Sequence, residues 1–174
     1  MAVAPRIETE RLVLRARTLE DLPDFAAMWK DERVYAPLTG QPLPPEEAWA
    51  RFARMCGSWE LCGYGAWIVE EKASGRLVGE AGAAFFSRDI EPPLEGPEFG
   101  WVFCGDAHGK GYATEAVKAG LAWTDEAFPD ARACCLISPS NAPSLRVAAK
   151  CGFVEKRRAT YKNHEAIILE RARP

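Results

Sequence analysis

The 174-residue chain is 48% hydrophobic and 27% charged, proportions that suit one soluble globular domain with a sizeable core. A net charge of -3 gives no basic stripe for nucleic acid and no cationic attraction to an anionic membrane. There is no run of about 18 apolar residues to cross a bilayer, and the opening Met1-Ala-Val-Ala-Pro-Arg6 lacks an apolar leader, so a cytoplasmic location is expected.

Arg11-Leu-Val-Leu-Arg15 reads as a first strand. Thr18 and Asp21 have capping-box spacing, and Leu22, Phe25, Ala26 and Trp29 follow at helical period, predicting a helix to about Lys30. The prolines between 37 and 45 break the chain, and Glu46 and Glu47 begin a second helix with acids in its first turn. Ala66–Glu70 and Leu77–Phe86 read as a hairpin about the turn Ala73-Ser-Gly-Arg76. A loop over Ile90 to Pro97 leads to the strand Glu98–Cys104, then to a glycine-rich turn and a long helix that Pro129 ends. Ala131–Ser138 is a buried strand, Ala142–Lys150 a short helix, and Phe153–Tyr161 with Ala166–Arg171 a closing strand pair. This order, β-α-α-β-β-β-α-β-α-β-β, implies an α/β domain over residues 1–174 with helices on both faces of a mixed sheet.

The six cysteines form no C-x-x-C pair, and His108 and His164 stand apart from any cysteine cluster. No metal site is expected, and free thiols suit a reducing compartment.

The most informative segment is Gly105-Asp-Ala-His-Gly-Lys-Gly-Tyr-Ala-Thr-Glu115, which joins a strand to a helix. Glycines there allow positive φ and close approach of a ligand, and the free amides of the helix start form an anion site. Two phosphate-binding fingerprints fail on spacing. Only three residues separate Gly105 from Gly109-Lys110, with Gly111 where the P-loop needs Ser or Thr. The dinucleotide pattern would need glycine at Thr114. A glycine-rich turn without any ligand is the bland alternative.

His108-Gly-Lys-Gly111-Tyr-Ala113, followed by Thr114-Glu-Ala116, resembles the coenzyme loop [Q/R]-x-x-G-x-[G/A] of the GNAT acetyltransferases, with His108 in place of Gln or Arg. Asn141-Ala-Pro-Ser144 and Lys150-Cys-Gly-Phe153 resemble a second motif of that family. The opening Ile7–Arg15 and Glu98-Phe-Gly-Trp101 are similar to the branch of ribosomal-protein-alanine N-acetyltransferases. The resemblance implies a GNAT-like fold, with a mostly antiparallel twisted sheet of about seven strands. It also implies acetyl-CoA as co-substrate, no metal, and a primary amine as acceptor, either a small molecule or a protein N-terminus.

Carried onto this sequence, the resemblance puts the pantetheine arm against the open backbone of Trp101, Val102 and Phe103. The diphosphate would sit on the amides of Lys110, Gly111, Tyr112, Ala113 and Thr114, with His108 and Gly109 completing the loop. Asn141 would bond the pantetheine, or serve as N-cap of the helix after it, or both. Ser144 is the candidate acid for the departing thiolate, because position 148, where many relatives carry tyrosine, is Ala148. Its bland role is a first-turn serine. Glu98 is the candidate catalytic carboxylate, with Glu80 beside it, and either could instead be a salt-bridge residue. Lys150 reads as a solvated helix-end cation. The alternative to an enzyme is an acyl-CoA-binding module that has lost its chemistry.

Overall fold

The computed structural model describes residues 4–171, so the first three residues, read above for a leader, lie outside it. Strands β1 (Ile7–Glu8) and β2 (Leu12–Arg15) pair antiparallel across a turn in which the Thr9 amide donates to the Leu12 carbonyl at 3.0 Å. The Asp21 carboxylate accepts from the Thr18 amide at 2.8 Å, as the capping spacing predicts, but it closes a short 3-10 turn ahead of helix α1 (Leu22–Met28). That helix ends two residues before the expected Lys30. Asp31 then accepts from the Arg33 amide and starts an unpredicted one-turn helix, α2 (Glu32–Tyr35). Helix α3 (Pro45–Cys62) stops at Gly63, whose φ of 74° is left-handed.

Strands β3 (Ala66–Glu71) and β4 (Leu77–Ala84) form the expected hairpin, turned by Gly75 at φ 67°. Then come β5 (Glu98–Phe103), α4 (Tyr112–Ala127), β6 (Cys134–Ile137), α5 (Ala142–Lys150), β7 (Phe153–Tyr161) and β8 (His164–Arg171). The sheet has eight strands in the order β1-β2-β3-β4-β5-β6-β8-β7, all neighbours antiparallel except β5 and β6. The strand beyond the expected seven is β1, whose two residues are too few to show any period.

Helices cover both faces. On one, Ala116, Val117 and Leu121 of α4 pack against Leu12, Leu14, Trp67 and Phe99. Gly120 brings that helix close, since a Cβ there would lie 3.2 Å from the Trp67 ring. Trp59, Trp67 and Trp123 meet edge to face at 4.9–5.3 Å, adding about 0.5–1.5 kcal/mol per pair beyond burial. On the other face, Phe25, Trp29 and Phe52 from α1 and α3 pack on Ile68 and Val102. No helix among the described residues is long and apolar enough to cross a membrane.

All six cysteines are free; Cys134, Cys135 and Cys151 are buried and Cys56 is exposed. Burial pushes the Cys134 thiol up to about 12 and the Cys151 thiol up to about 11, with Cys135 raised as well. The thiolate is the reactive form, so Ellman's reagent should titrate exposed Cys56 first and half-buried Cys62 next, well ahead of the three buried thiols. Rapid titration of Cys134 or Cys151 before unfolding would contradict this packing.

Candidate active site

Near the middle of the sheet two neighbouring strands part. β5 and β6 share a single register pair, Glu98 with Cys134, held by the Cys134 amide donating to the Pro97 carbonyl at 3.0 Å. Beyond that point β5 stays paired with β4 as far as Gly79 and Phe103, while β6 turns away to β8. Successive strand residues point their peptide groups to opposite edges. The Cys104 amide donates to Val78 on β4, so Val102 also faces β4, and Trp101 and Phe103 face the gap. The open amides therefore belong to Trp101 and Phe103, and of the three residues expected to face the arm only Val102 spends its peptide on β4.

The gap opens into a groove of about 430 Å³. Its walls include Trp101, Val102 and Phe103 of β5, His108, Gly109 and Gly111 of the loop, and Tyr112, Ala113 and Thr114 of α4. Asn141 and Ser144 of α5 complete it. The structure thus brings together nearly all of the residues that the two motifs single out. Lys110 is the exception among the loop residues. Its carbonyl accepts from Arg11 at 2.9 Å, and its ammonium lies 5.7 Å from the centre of the Tyr112 ring.

The loop's shape follows from its glycines. Gly109 (φ 77°) and Gly111 (φ 81°) both take left-handed conformations that a residue with a Cβ adopts only with strain. Gly111 is the N-cap of α4, and the first helical bond runs from Glu115 N to the Gly111 carbonyl. The amides from Gly111 to Thr114 are left without a helical acceptor and face the groove end, with the positive pole of a 16-residue helix behind them. His108 is positional. Its Nε2 donates to the Phe103 carbonyl at 2.9 Å, tying the loop to the end of β5.

A long-range clamp, invisible in the sequence, fixes the start of α4. Glu115 accepts from the Thr9 hydroxyl at 2.6 Å, the Arg11 amide at 2.9 Å and the Arg11 guanidinium at 2.8 Å. Burial pushes the Glu115 carboxyl up, but these donors outweigh it and hold the group below its usual value. From the other side, the Tyr112 hydroxyl donates to Glu71 at 2.5 Å.

On α5, the Asn141 Oδ1 accepts from the Ser144 amide at 3.1 Å, so Asn141 is the N-cap. Its side-chain NH2 has no partner among the described residues, beside the groove that Asn141 lines. The Ser144 hydroxyl has no partner among the described residues, and Ala148 is fully buried where a tyrosine could have competed. Three basic groove residues escaped the sequence reading as contacts: Arg33, Arg146 and Lys150. Arg33 pairs with Asp31 and Asp106, whereas Arg146 and Lys150, one turn apart on α5, have no ion pair among the described residues. The only sequence signal for this pair is its spacing.

Glu98 does not line the groove. Both of its oxygens are held at 2.6 Å by Arg88, and it sits where β5 and β6 still touch. A carboxylate chelated by a guanidinium is a poor proton acceptor, so the expected catalytic role gives way to a structural ion pair. Glu80 is likewise engaged, by Arg17 at 3.2 Å. Among the described residues no group of His, Cys, Asp and Glu side chains could hold a metal.

A family described as acetyltransferase (GNAT) domain matches residues 11–154. A Bordetella pertussis protein assigned to the GNAT-family acetyltransferases has a TM-score of 0.86 and 30% identity, covering 97% of this chain and all of that one. The uncharacterized protein YkkB of Bacillus subtilis (strain 168) is 31% identical over 111 residues, a stretch that spans only 63% of either protein. An aminoglycoside acetyltransferase solved in complex with coenzyme A is more distant, at 18% identity and a TM-score of 0.74 over 94% of each chain, and shows the shared fold alone. With the family matched across most of its length, on a sheet that splits beside the glycine loop, this chain belongs to the GNAT acetyltransferase family.

Proposed function

We propose that the protein is a single-domain N-acetyltransferase that moves an acetyl group from acetyl-CoA to a primary amine by direct attack in a ternary complex. The observation that carries this reading is the parting of β5 from β6 directly beside the start of α4, whose first amides no side chain caps. An extended arm fits the gap as an extra strand partner, and a diphosphate at its end fits the helix amides. Arg146 and Lys150 supply positive charge for further phosphate at the same mouth.

In this arrangement the thioester carbonyl lies along the open edge of β5. The amine nitrogen bonds to the carbonyl carbon, and the oxygen takes the negative charge. The Trp101 or Phe103 amide donates to that oxygen, a type of contact that lowers acyl-transfer barriers. Water takes a proton from the attacking nitrogen, the carbon–sulfur bond breaks, and the Ser144 hydroxyl gives its proton to the leaving sulfur and is reprotonated from solvent. Asn141 holds the first turn of α5 in place and offers its NH2 to the arm.

An amine panel with acetyl-CoA, followed by thiol release, tests the proposal. Amine-dependent release is expected. Coenzyme binding with no amine-dependent release would instead identify a non-catalytic binding module.

A further inference from the structure

Gly100 stands in the middle of β5, yet it is exposed, and a Cβ built on it would meet nothing within 4 Å. An exposed position inside a covered sheet marks an opening in the layer of α1 and α3. Glu98 and Val102 flank it on the same face, and Glu80 lies across from Val102 on β4.

The side chains around this opening carry more donors than acceptors. Arg17, only 2% exposed in its side chain, donates to Glu80, to the Phe52 carbonyl and to the Ala66 carbonyl, but its Nε has no partner among the described residues. The buried Trp29 Nε1 has none either. Arg51 stacks on the Trp29 ring at 4.2 Å and has no ion pair among the described residues, although Glu47 lies one turn earlier on the same helix. Burial pushes its guanidinium down, while Glu80 and, more weakly, Glu47 act on it favourably and Arg54 and Arg88 unfavourably. Arg54 and Arg88 share the Phe86 ring, at 6.0 and 4.7 Å, and only Arg88 has a carboxylate, Glu98. Arg17 and Arg88 are neutralised, which leaves Arg51 and Arg54 as surplus cations at the rim.

We infer that the acceptor amine carries an oxyanion, a carboxylate or a phosphate, which docks on Arg51 and Arg54 above Gly100. This rests on the proposed acetyl transfer and names its acceptor class. Guanidinium groups recognise such oxyanions with paired, charge-assisted hydrogen bonds. Stacking on Trp29 holds one of these forks ready. The same surplus charge repels polycationic amines, which makes them the poorest acceptors.

Three amines of similar reach, 4-aminobutyrate, 3-aminopropylphosphonate and n-butylamine, and the longer polycation spermidine decide it, each with saturating acetyl-CoA. One or both anionic amines should exceed n-butylamine by about tenfold or more in kcat/KM, as one charge-assisted contact gives, with spermidine lowest. The carboxylate and phosphonate arms tell which oxyanion fits. Arg51→Met should reduce the ratio of anionic to neutral amine about tenfold with the KM for acetyl-CoA maintained, and Arg54→Gln carries the same test if that variant fails to fold. A purely structural loss would lower all four amines in parallel, and that result overturns the assignment. Equal or better use of n-butylamine or spermidine overturns it while leaving acetyl transfer intact. Silence from every amine despite acetyl-CoA binding overturns both.

Discussion

Gly111→Val should bind acetyl-CoA about ten- to a hundredfold more weakly than the wild type while remaining folded. The glycine holds φ at 81°, and a β-branched residue is strained there by roughly 1–2 kcal/mol or more. The sequence alone suggests that a new Cβ blocks the diphosphate. Among protein atoms that Cβ would meet only the Arg11 guanidinium, at 3.4 Å. The structure adds a second cause, because the backbone would relax toward negative φ and turn the amides at the start of α4 away from the anion. One charge-assisted hydrogen bond lost is about 1.5–3 kcal/mol, the source of the expected range. Gly75→Val is the control, since it imposes comparable strain at φ 67° in the β3–β4 turn, away from the groove. It should lower the melting temperature with acetyl-CoA affinity unchanged. Calorimetry showing equal affinity in Gly111→Val and wild type would remove the helix start from the site.

Ser144→Ala should lower kcat about ten- to a hundredfold with little change in acetyl-CoA affinity, at the low end for loss of a general acid. Ser144 lines the groove, its hydroxyl has no partner among the described residues, and the bond to Asn141 is made by the Ser144 backbone amide, which alanine keeps. Helix α5 should therefore form as before, and the effect should fall on turnover. A variant turning over at the wild-type rate on a confirmed amine would leave water as the proton source and Ser144 as a helix-start residue.

Local chemistry explains what could be read from the sequence. Helix α5 runs over Ala142–Lys150 as expected, because Asn141 caps it, Pro143 fits its first turn and Gly152 (φ 85°) follows its end. The penultimate strand, β7, keeps its expected bounds, and the loop between β5 and α4 was legible because its glycines sit where the backbone turns. Short elements escaped, as β1 and α2 are too brief for periodicity to register. Contacts between distant residues escaped for a different reason. Nothing near Arg11 announces Glu115, and nothing in Glu98 distinguishes a proton acceptor from the partner of Arg88. The widest gap concerned the acceptor side, where Arg17 before α1, Arg51 and Arg54 on α3, and Arg88 after β4 meet only in the fold.

The central claim is that the coenzyme lies in the parting of β5 and β6 with its diphosphate on the start of α4. Amide hydrogen exchange with and without coenzyme A tests it most directly. Protection should appear at Gly111 to Thr114 and at the open amides of Trp101 and Phe103. No protection at these positions, or protection instead around the separate cavity of about 480 Å³ beside Pro129, Asp130 and Arg132, would contradict it.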